Sequence, residues 1–265
     1  MIEKEFINNF KFKKKFGQNF LIDDNILNNI VNTAQIDNDT LVIEIGCGAG
    51  ALTKKIIEKT DKFIGYEIDT SLKEILSALN TNIIFDDFLN RNIKEDIKKY
   101  AYKKIYVIAN LPYYITTPII TKIIEENISV DKIVVMVQKE VGDRFSAKPS
   151  TKEYNSLTVF INYYFNVKKL FLVSRNVFVP KPNVDSIVIC LEKKEKLNVI
   201  NENLFFKLVR DSFKQKRKTL KNNLKGYNFT KINEILNKNN YDEDVRAEKL
   251  PIEIFVEISN ALSKE

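Results

Sequence analysis

No histidine occurs among the 265 residues of this chain. That absence removes Ser-His-Asp and Cys-His nucleophilic catalysis, the usual zinc hydrolase sites, and imidazole as a general base. Cysteine is almost missing too: Cys47 and Cys190 stand far apart and form no metal-ligand spacing, so no bound metal is expected. Without a disulfide framework or a signal-peptide pattern, the expected compartment is the reducing cytoplasm. No run of about 18 apolar residues appears, so neither a membrane span nor a membrane partner is expected.

What the chain does have is positive charge. The formal net charge of +7 favours a polyanionic partner but says nothing of fold. A general bias toward Lys, Asn and Ile accounts for part of that excess, so only clustering of the charge is informative. The longest cluster lies late in the chain. Lys214, Lys216, Arg217, Lys218, Lys221 and Lys225 follow one another without an acidic residue between them. A solvated helix is the bland reading; a surface that tracks phosphates is the sharper one.

Short apolar runs alternate with amphipathic stretches over the first two-thirds of the chain. Leu41–Ile45, Lys62–Ile68, Asn82–Phe85, Lys104–Ala109 and Lys132–Val137 read as buried strands, and 52–59, 71–79 and 118–126 as helices. Strands alternating with helices predict an α/β fold with a doubly wound parallel sheet. Residues 158–165 and 186–191 read as two further strands on either side of the Pro180–Pro182 segment, closing the sheet with an antiparallel edge. The charged stretch Glu192–Lys196 reads as a linker. Beyond it, 204–224, 231–237 and 252–262 carry helical periodicity. The expected organisation is a Rossmann-like domain over 1–195 and a small all-helical domain over 196–265.

Three segments carry chemistry. In Val42-Ile-Glu-Ile-Gly-Cys-Gly-Ala-Gly50 a strand ends in closely spaced glycines, and a helix opens near Ala51. Such glycines let the backbone turn tightly and approach a nucleotide-like ligand. Glu67, at the end of the next strand with Ile68 beside it, is placed to accept hydrogen bonds from ribose hydroxyls. Gly46-x-Gly48-x-x-Ala51 also satisfies the loose dinucleotide fingerprint, so alone it does not separate a nicotinamide enzyme from a methyltransferase. Glu44 tilts the choice, because an acid two residues before the first glycine resembles the first motif of S-adenosylmethionine enzymes. After the third strand, Asp87 and Phe88 suit adenine, the carboxylate accepting from the ring amine and the phenyl packing on the ring.

Asn110-Leu-Pro-Tyr113 ends the fourth strand, where ligands sit in such sheets. The lone pair of adenine N6 is delocalised into the ring, which makes it a poor nucleophile. Acceptors at the Asn110 side chain and the Leu111 carbonyl would take its two N–H bonds and draw the nitrogen toward a tetrahedral state. Pro112 holds the turn and Tyr113 offers a stacking face. No separate strong base is needed, because the methylated amine is cationic and sheds its proton readily. Phe178, in the proline-stiffened Phe178-Val-Pro-Lys-Pro182, is a candidate for the opposite face of a base sandwich; such stacking contributes about 1–3 kcal/mol per base. Ahead of the first strand, Gln18 and Asn19 are candidates to close over the cofactor, with Lys13, Lys14 and Lys15 free to meet phosphate.

Together these segments resemble the small-subunit (16S) ribosomal RNA adenine dimethyltransferases, the KsgA family. The likeness runs through Gln18-Asn-Phe-Leu21, Glu44-Ile-Gly-Cys-Gly-Ala-Gly-Ala-Leu-Thr53, Asn110-Leu-Pro-Tyr113 and Val137-Gln-Lys-Glu-Val-Gly-Asp-Arg144. It continues through the Phe178 loop, Lys216-Arg-Lys-Thr-Leu220 and Arg246-Ala-Glu248. The resemblance implies an S-adenosylmethionine-dependent enzyme with Asn19, Leu21, Gly46, Glu67, Asp87 and Asn110 at the cofactor, beside the Gly48 of the glycine turn. It implies as substrate two adjacent adenosines in the 3′-terminal hairpin loop of 16S rRNA, each dimethylated at N6 within an immature small subunit. It also implies a monomer whose helical domain holds RNA, with Lys214, Arg217, Lys218 and Lys221 as contacts. Two positions depart from the pattern: Cys47 stands where proline is common, and Tyr114 where asparagine is frequent. The nearest rival is the sister group that methylates 23S rRNA and confers macrolide-type resistance. A nicotinamide-dependent dehydrogenase and a non-catalytic RNA-binding assembly factor are rivals from other classes.

Overall fold

The computed structural model describes residues 10–126 and 128–263. The extreme ends of the two expected domains, 1–9 and 264–265, lie outside the described residues, as does residue 127. In chain order the strands are β1 (Phe20–Leu21), β2 (Thr40–Ile45), β3 (Phe63–Tyr66), β4 (Ile83–Ile84), β5 (Lys104–Asn110), β6 (Lys132–Gln138), β7 (Phe165–Val173), β8 (Phe178–Val179) and β9 (Ser186–Lys193). Helices in the first two-thirds are α1 (Asp24–Ala34), α2 (Ala51–Ile57), α3 (Lys73–Ser77), α4 (Ile93–Ile97), α5 (Thr116–Glu125), α6 (Lys139–Phe145) and α7 (Ser156–Tyr164). Four more follow: α8 (Glu202–Ser212), α9 (Leu220–Asn223), α10 (Phe229–Lys238) and α11 (Ile252–Leu262). Among the described residues no helix is long and apolar enough to cross a membrane.

Seven strands form one sheet in the order β4-β3-β2-β5-β6-β9-β7. The five that alternate with helices pair in parallel, and β9 joins antiparallel to β6 with Lys132 opposite Glu192 and Gln138 opposite Ser186. The expected Rossmann-like sheet with an antiparallel edge is therefore present. Every residue of β2 is buried. It shows no alternation because helices cover both faces of a parallel sheet. Helix α1, for which the sequence reading named no element, starts where the Asp23 carboxylate accepts from Ile26 N at 3.0 Å. Its Leu27, Ile30, Val31 and Ala34 pack with Leu52 and Ile56 of α2 and with Val42, Ile108 and Met136 of the sheet.

Strand order reverses at β2: β3 and β4 extend from one side, β5 and β6 from the other. The carboxyl ends of β2 and β5 thus flank the switch point, where a crevice opens in such sheets. A separate two-stranded ribbon pairs β1 antiparallel with β8, Phe20 opposite Val179 and Leu21 opposite Phe178.

The chain divides into two compact units, one through Gly142 with Lys168–Lys193, the other Asp143–Val167 with Lys194–Glu265. The second unit thus takes in an earlier segment that the expected boundary at 195/196 assigns to the first domain. That segment also corrects the secondary structure. Residues 158–165, read as a strand, are mostly helix α7, because Asn155 and Thr158 form a reciprocal capping box ahead of it. Val159 and Tyr163 then pack with Phe205, Leu208, Phe255 and Ile258 in the core of the second unit. The helix expected over 204–224 is also broken, into α8 and α9. Between them the Asn223 amide donates to Ser212 O at 2.8 Å and Gln215 O at 3.2 Å, and its oxygen accepts from Gln215 N.

Candidate active site

The glycine turn after β2 forms the floor. Gly46 and Gly48 adopt φ of 79° and 55°, in the left-handed region. A Cβ on Gly48 would stand 3.3 Å from the Phe20 ring, and one on Gly46 would stand 3.7 Å from Pro112. Side chains here would therefore narrow the cleft between the ends of β2 and β5. Gly48 N donates to Glu67 Oε2 at 2.8 Å, and Asp69 N donates to Glu67 Oε1 at 2.8 Å. Burial pushes the Glu67 carboxyl up to about 6, against the pull of these backbone donors. Beneath the turn, Glu44 accepts from Thr53 Oγ1 at 2.6 Å, and burial pushes its carboxyl up to about 8.

The Asn110 corner is held from two sides. Asn110 Nδ2 donates to Asn19 O at 3.1 Å, which commits the nitrogen of the amide and leaves Oδ1 as an acceptor. Leu111 N donates to Met136 O at 3.1 Å, tying the turn to β6. Pro112 begins a short helical turn whose Ile115 N returns to Pro112 O at 3.2 Å. The Tyr113 hydroxyl lies 2.6 Å from Ser186 Oγ of β9, which anchors the far end of the side chain.

Two adjoining cavities result. One, of about 760 Å³ with its mouth, is lined by Gln18, Asn19, Leu21, Gly46, Gly48, Glu67, Ile68, Asn110, Leu111, Pro112 and Tyr113, along with Glu44 and Phe16. The other, of about 590 Å³, is lined by Asp87 and Phe88 together with Tyr66, Asp86 and Tyr114. Phe16, Gly46, Ile68 and Pro112 are walls of both. Asp87 Oδ1 accepts from Leu89 N at 2.9 Å, and the Phe88 ring meets Tyr66 edge-on at 5.1 Å. Tyr114, the departure from the family pattern, is 55% exposed and stands 3.0 Å from where a Cβ of Gly17 would lie. Neither cavity is lined by a lysine or arginine, whereas Glu44, Glu67, Asp86 and Asp87 supply carboxylates. That donor set fits a nucleoside carrying a cationic sulfonium and an amino-acid end. It is poorly matched to a pyrophosphate.

Phe178 lines neither cavity. It is 3% exposed and packed in the core of the first unit in register with Leu21, so the pairing of β8 with β1 makes it a core side chain here. Lys14 and Lys15 are exposed, with Lys15 Nζ 4.6 Å from the Phe16 ring centroid. In the second unit Lys214, Arg217 and Lys218 lie exposed on the turn between α8 and α9 and make no ion pair among the described residues. Lys221 is different, since it pairs with Glu243 at 2.9 Å. Lys13, read with its two neighbours as free to meet phosphate, is instead tied to Asp69, and sequence reasoning missed Asp69 and Ser186. The signal for Asp69 was its place two residues beyond Glu67, ahead of a short Thr-Ser turn that it caps.

Known proteins resemble the chain along almost its whole length. The family described as ribosomal RNA adenine dimethylase matches residues 9–264. Ribosomal RNA small subunit methyltransferase A of Bacillus pumilus is 46% identical over 96% of this chain and 92% of its own length. The protein of the same name from Bacillus mycoides gives the same identity and coverage. A dimethyladenosine transferase from Plasmodium falciparum superposes with a TM-score of 0.73 at 26% identity, covering 90% of this chain and 95% of its own. The 23S rRNA methyltransferase ErmE superposes with a TM-score of 0.72 at 22% identity, covering 92% of this chain and 99% of its own.

Proposed function

The chain belongs to the ribosomal RNA adenine dimethylase family, and from that premise we propose that it dimethylates N6 of two adjacent adenosines in the 3′-terminal hairpin loop of 16S rRNA. The enzyme is an S-adenosylmethionine-dependent methyltransferase acting on ribosomal RNA. The observation that carries the proposal is the Asn110 amide, whose nitrogen is held by Asn19 O at 3.1 Å at the edge of a carboxylate-walled cleft. When bound, S-adenosylmethionine supplies a methyl carbon on a positive sulfur that leaves as a neutral thioether.

The protein's own groups do the rest. Asn110 Oδ1 and the Leu111 carbonyl accept hydrogen bonds from the two N6 N–H groups and localise the nitrogen lone pair, while the Tyr113 ring supports the base. N6 held in this way would bond to the methyl carbon as the sulfur leaves, and the cationic amine would then give its proton to water. After the first transfer one N–H remains, so one acceptor suffices to aim the second. Glu67 accepts from the cofactor ribose, with Gln18, Asn19, Leu21, Gly46 and Gly48 shaping that lobe. Ile68, Asp87 and Phe88 frame its adenine. Acceptors placed before the reaction act on the transition state without reorganisation.

The RNA is held by Lys14 and Lys15 of the first unit and by Lys214, Arg217 and Lys218 of the second, within an immature small subunit. The enzyme works as a cytoplasmic monomer. The large-subunit alternative lacks comparable support, because the ErmE likeness at 22% identity speaks to fold alone. Mass analysis of rRNA nucleosides after incubation with unmethylated small subunits and S-adenosylmethionine tests the reading. Dimethyladenosine in small-subunit RNA is expected; product confined to large-subunit RNA would overturn it.

A further inference from the structure

The segment Lys13–Leu21 contributes six walls to the larger cavity, Phe16 through Leu21. At its far end it is stitched into the β1–β8 ribbon, where Ile22 N also donates to Val177 O at 3.0 Å. At its near end the stitching converges on one side chain. Asp69 is 1% exposed, and its carboxylate takes Lys13 Nζ at 2.5 Å on one oxygen and Gln18 Nε2 at 2.6 Å on the other. Ser71 adds its N–H at 3.0 Å and its hydroxyl at 2.6 Å. Lys13 N donates to Gln18 Oε1 at 2.7 Å, so the two residues that reach Asp69 also hold each other. Burial works against a charge here, yet the Lys13, Ser71 and Gln18 donors hold the carboxyl down at about 2.

Asp69 is also wired to both working ends of the cleft. Its own N–H donates to Glu67 Oε1 at 2.8 Å, and the segment it clasps presents Asn19 O to Asn110 Nδ2 at 3.1 Å. We infer that Asp69 is a positioning residue, a clasp that holds Lys13–Leu21 closed over the cofactor lobe and so keeps both the cofactor walls and the Asn110 amide in their working places. This inference rests on the proposed function, since it assumes that the cleft takes S-adenosylmethionine. The clasp has a physical consequence. Opening it leaves the walls to be ordered at the moment of binding, and apparent affinity falls with the fraction of molecules that are closed.

The test uses the full chain and S-adenosylhomocysteine, the product form of the cofactor, as probe. In Asp69→Asn one oxygen acceptor becomes a donor facing Lys13 or Gln18. Calorimetric affinity should fall by about tenfold, the effect of losing a charged hydrogen bond, and amide hydrogen exchange over 13–21 should quicken. Lys13→Met should move both readings the same way and Lys13→Arg should restore them to within about twofold, because guanidinium keeps the ion pair. Lys13 Nζ also reaches Ser71 Oγ at 3.1 Å, so hydrogen exchange over 13–21 is the reading that separates the clasp from a role confined to the Ser71 turn; an unchanged Lys13→Met overturns the clasp even if Asp69→Asn fails to fold. Wild-type protein that takes up no S-adenosylhomocysteine would defeat the proposed function itself. Wild-type binding with unchanged variants would defeat only the clasp.

Discussion

The corner at Asn110 and the turn at Lys214–Lys218 are both proposed to meet RNA, yet they are built in opposite ways. At the corner, polar groups are committed before any ligand arrives: the Asn110 nitrogen to Asn19, the Leu111 N–H to Met136, the Tyr113 hydroxyl to Ser186. On the turn, Lys214, Arg217 and Lys218 stand in water with no ion pair among the described residues. Chemistry on a weak nucleophile depends on angles, which only fixed acceptors deliver. Holding a phosphate backbone depends on counterion release, which tolerates mobile cations. Losses at the corner should therefore be steep, and losses on the turn graded.

Replacing Asn110 with Ala should lower single-turnover methyl transfer by roughly two orders of magnitude or more, the usual cost of removing a pre-placed acceptor. A near-wild-type rate would erase the contrast. Next in size, Glu67→Gln should weaken S-adenosylhomocysteine binding about tenfold by calorimetry. The wild-type affinity should rise as pH climbs through about 6, where Glu67 ionises. Stability of the ligand-free protein moves the other way. Because the folded carboxyl titrates near 6 and an unfolded one near 4.5, folding holds the proton more tightly. The Glu67 contribution is full below the unfolded value and is lost as pH rises through the folded one, at most about 2 kcal/mol. Melting curves with and without ligand between pH 5 and 7 should show the ligand-free midpoint falling while the ligand-induced shift grows.

On the turn the effects shrink. Arg217→Gln with Lys218→Gln should weaken RNA binding severalfold and reduce the salt slope by about 2. An unchanged slope would return both residues to plain surface. Lys221→Gln should change affinity less than about twofold, because Lys221 already spends its charge on Glu243. A loss as large as that of the double variant would mean that the ion pair gives way to RNA, and the contrast between tied and free cations would fail.

Much of the cleft was legible because its parts are local. A strand of Ile and Val, glycines after it, and an acid at the next strand's end place Gly46, Gly48 and Glu67 whatever surrounds them. Asn110 through Tyr113 follow from the next parallel strand for the same reason. What escaped is what depends on partners distant in sequence. Phe178 in a proline loop reads as a stacking face, but pairing of β8 with β1 makes it core. Apart from Asn162, the run Thr158–Phe165 is β-branched or aromatic throughout, which mimics a buried strand. The Asn155-x-x-Thr158 capping box was the local sign that it is helical. The break between α8 and α9 was hidden because lysine and arginine suit helices, and only Asn223, reaching back to Ser212 and Gln215, marks the turn.

The second unit is made of two stretches separated by strands that belong elsewhere. Its helix α7 leaves the ribosome early, with Val159 and Tyr163 bare until Phe205, Leu208 and Phe255 have been synthesised. A polypeptide ending at 195 would present that sticky face permanently and should aggregate. Supplying 196–265 as a separate peptide should rescue its solubility only if the peptide reaches α7 before other nascent chains do.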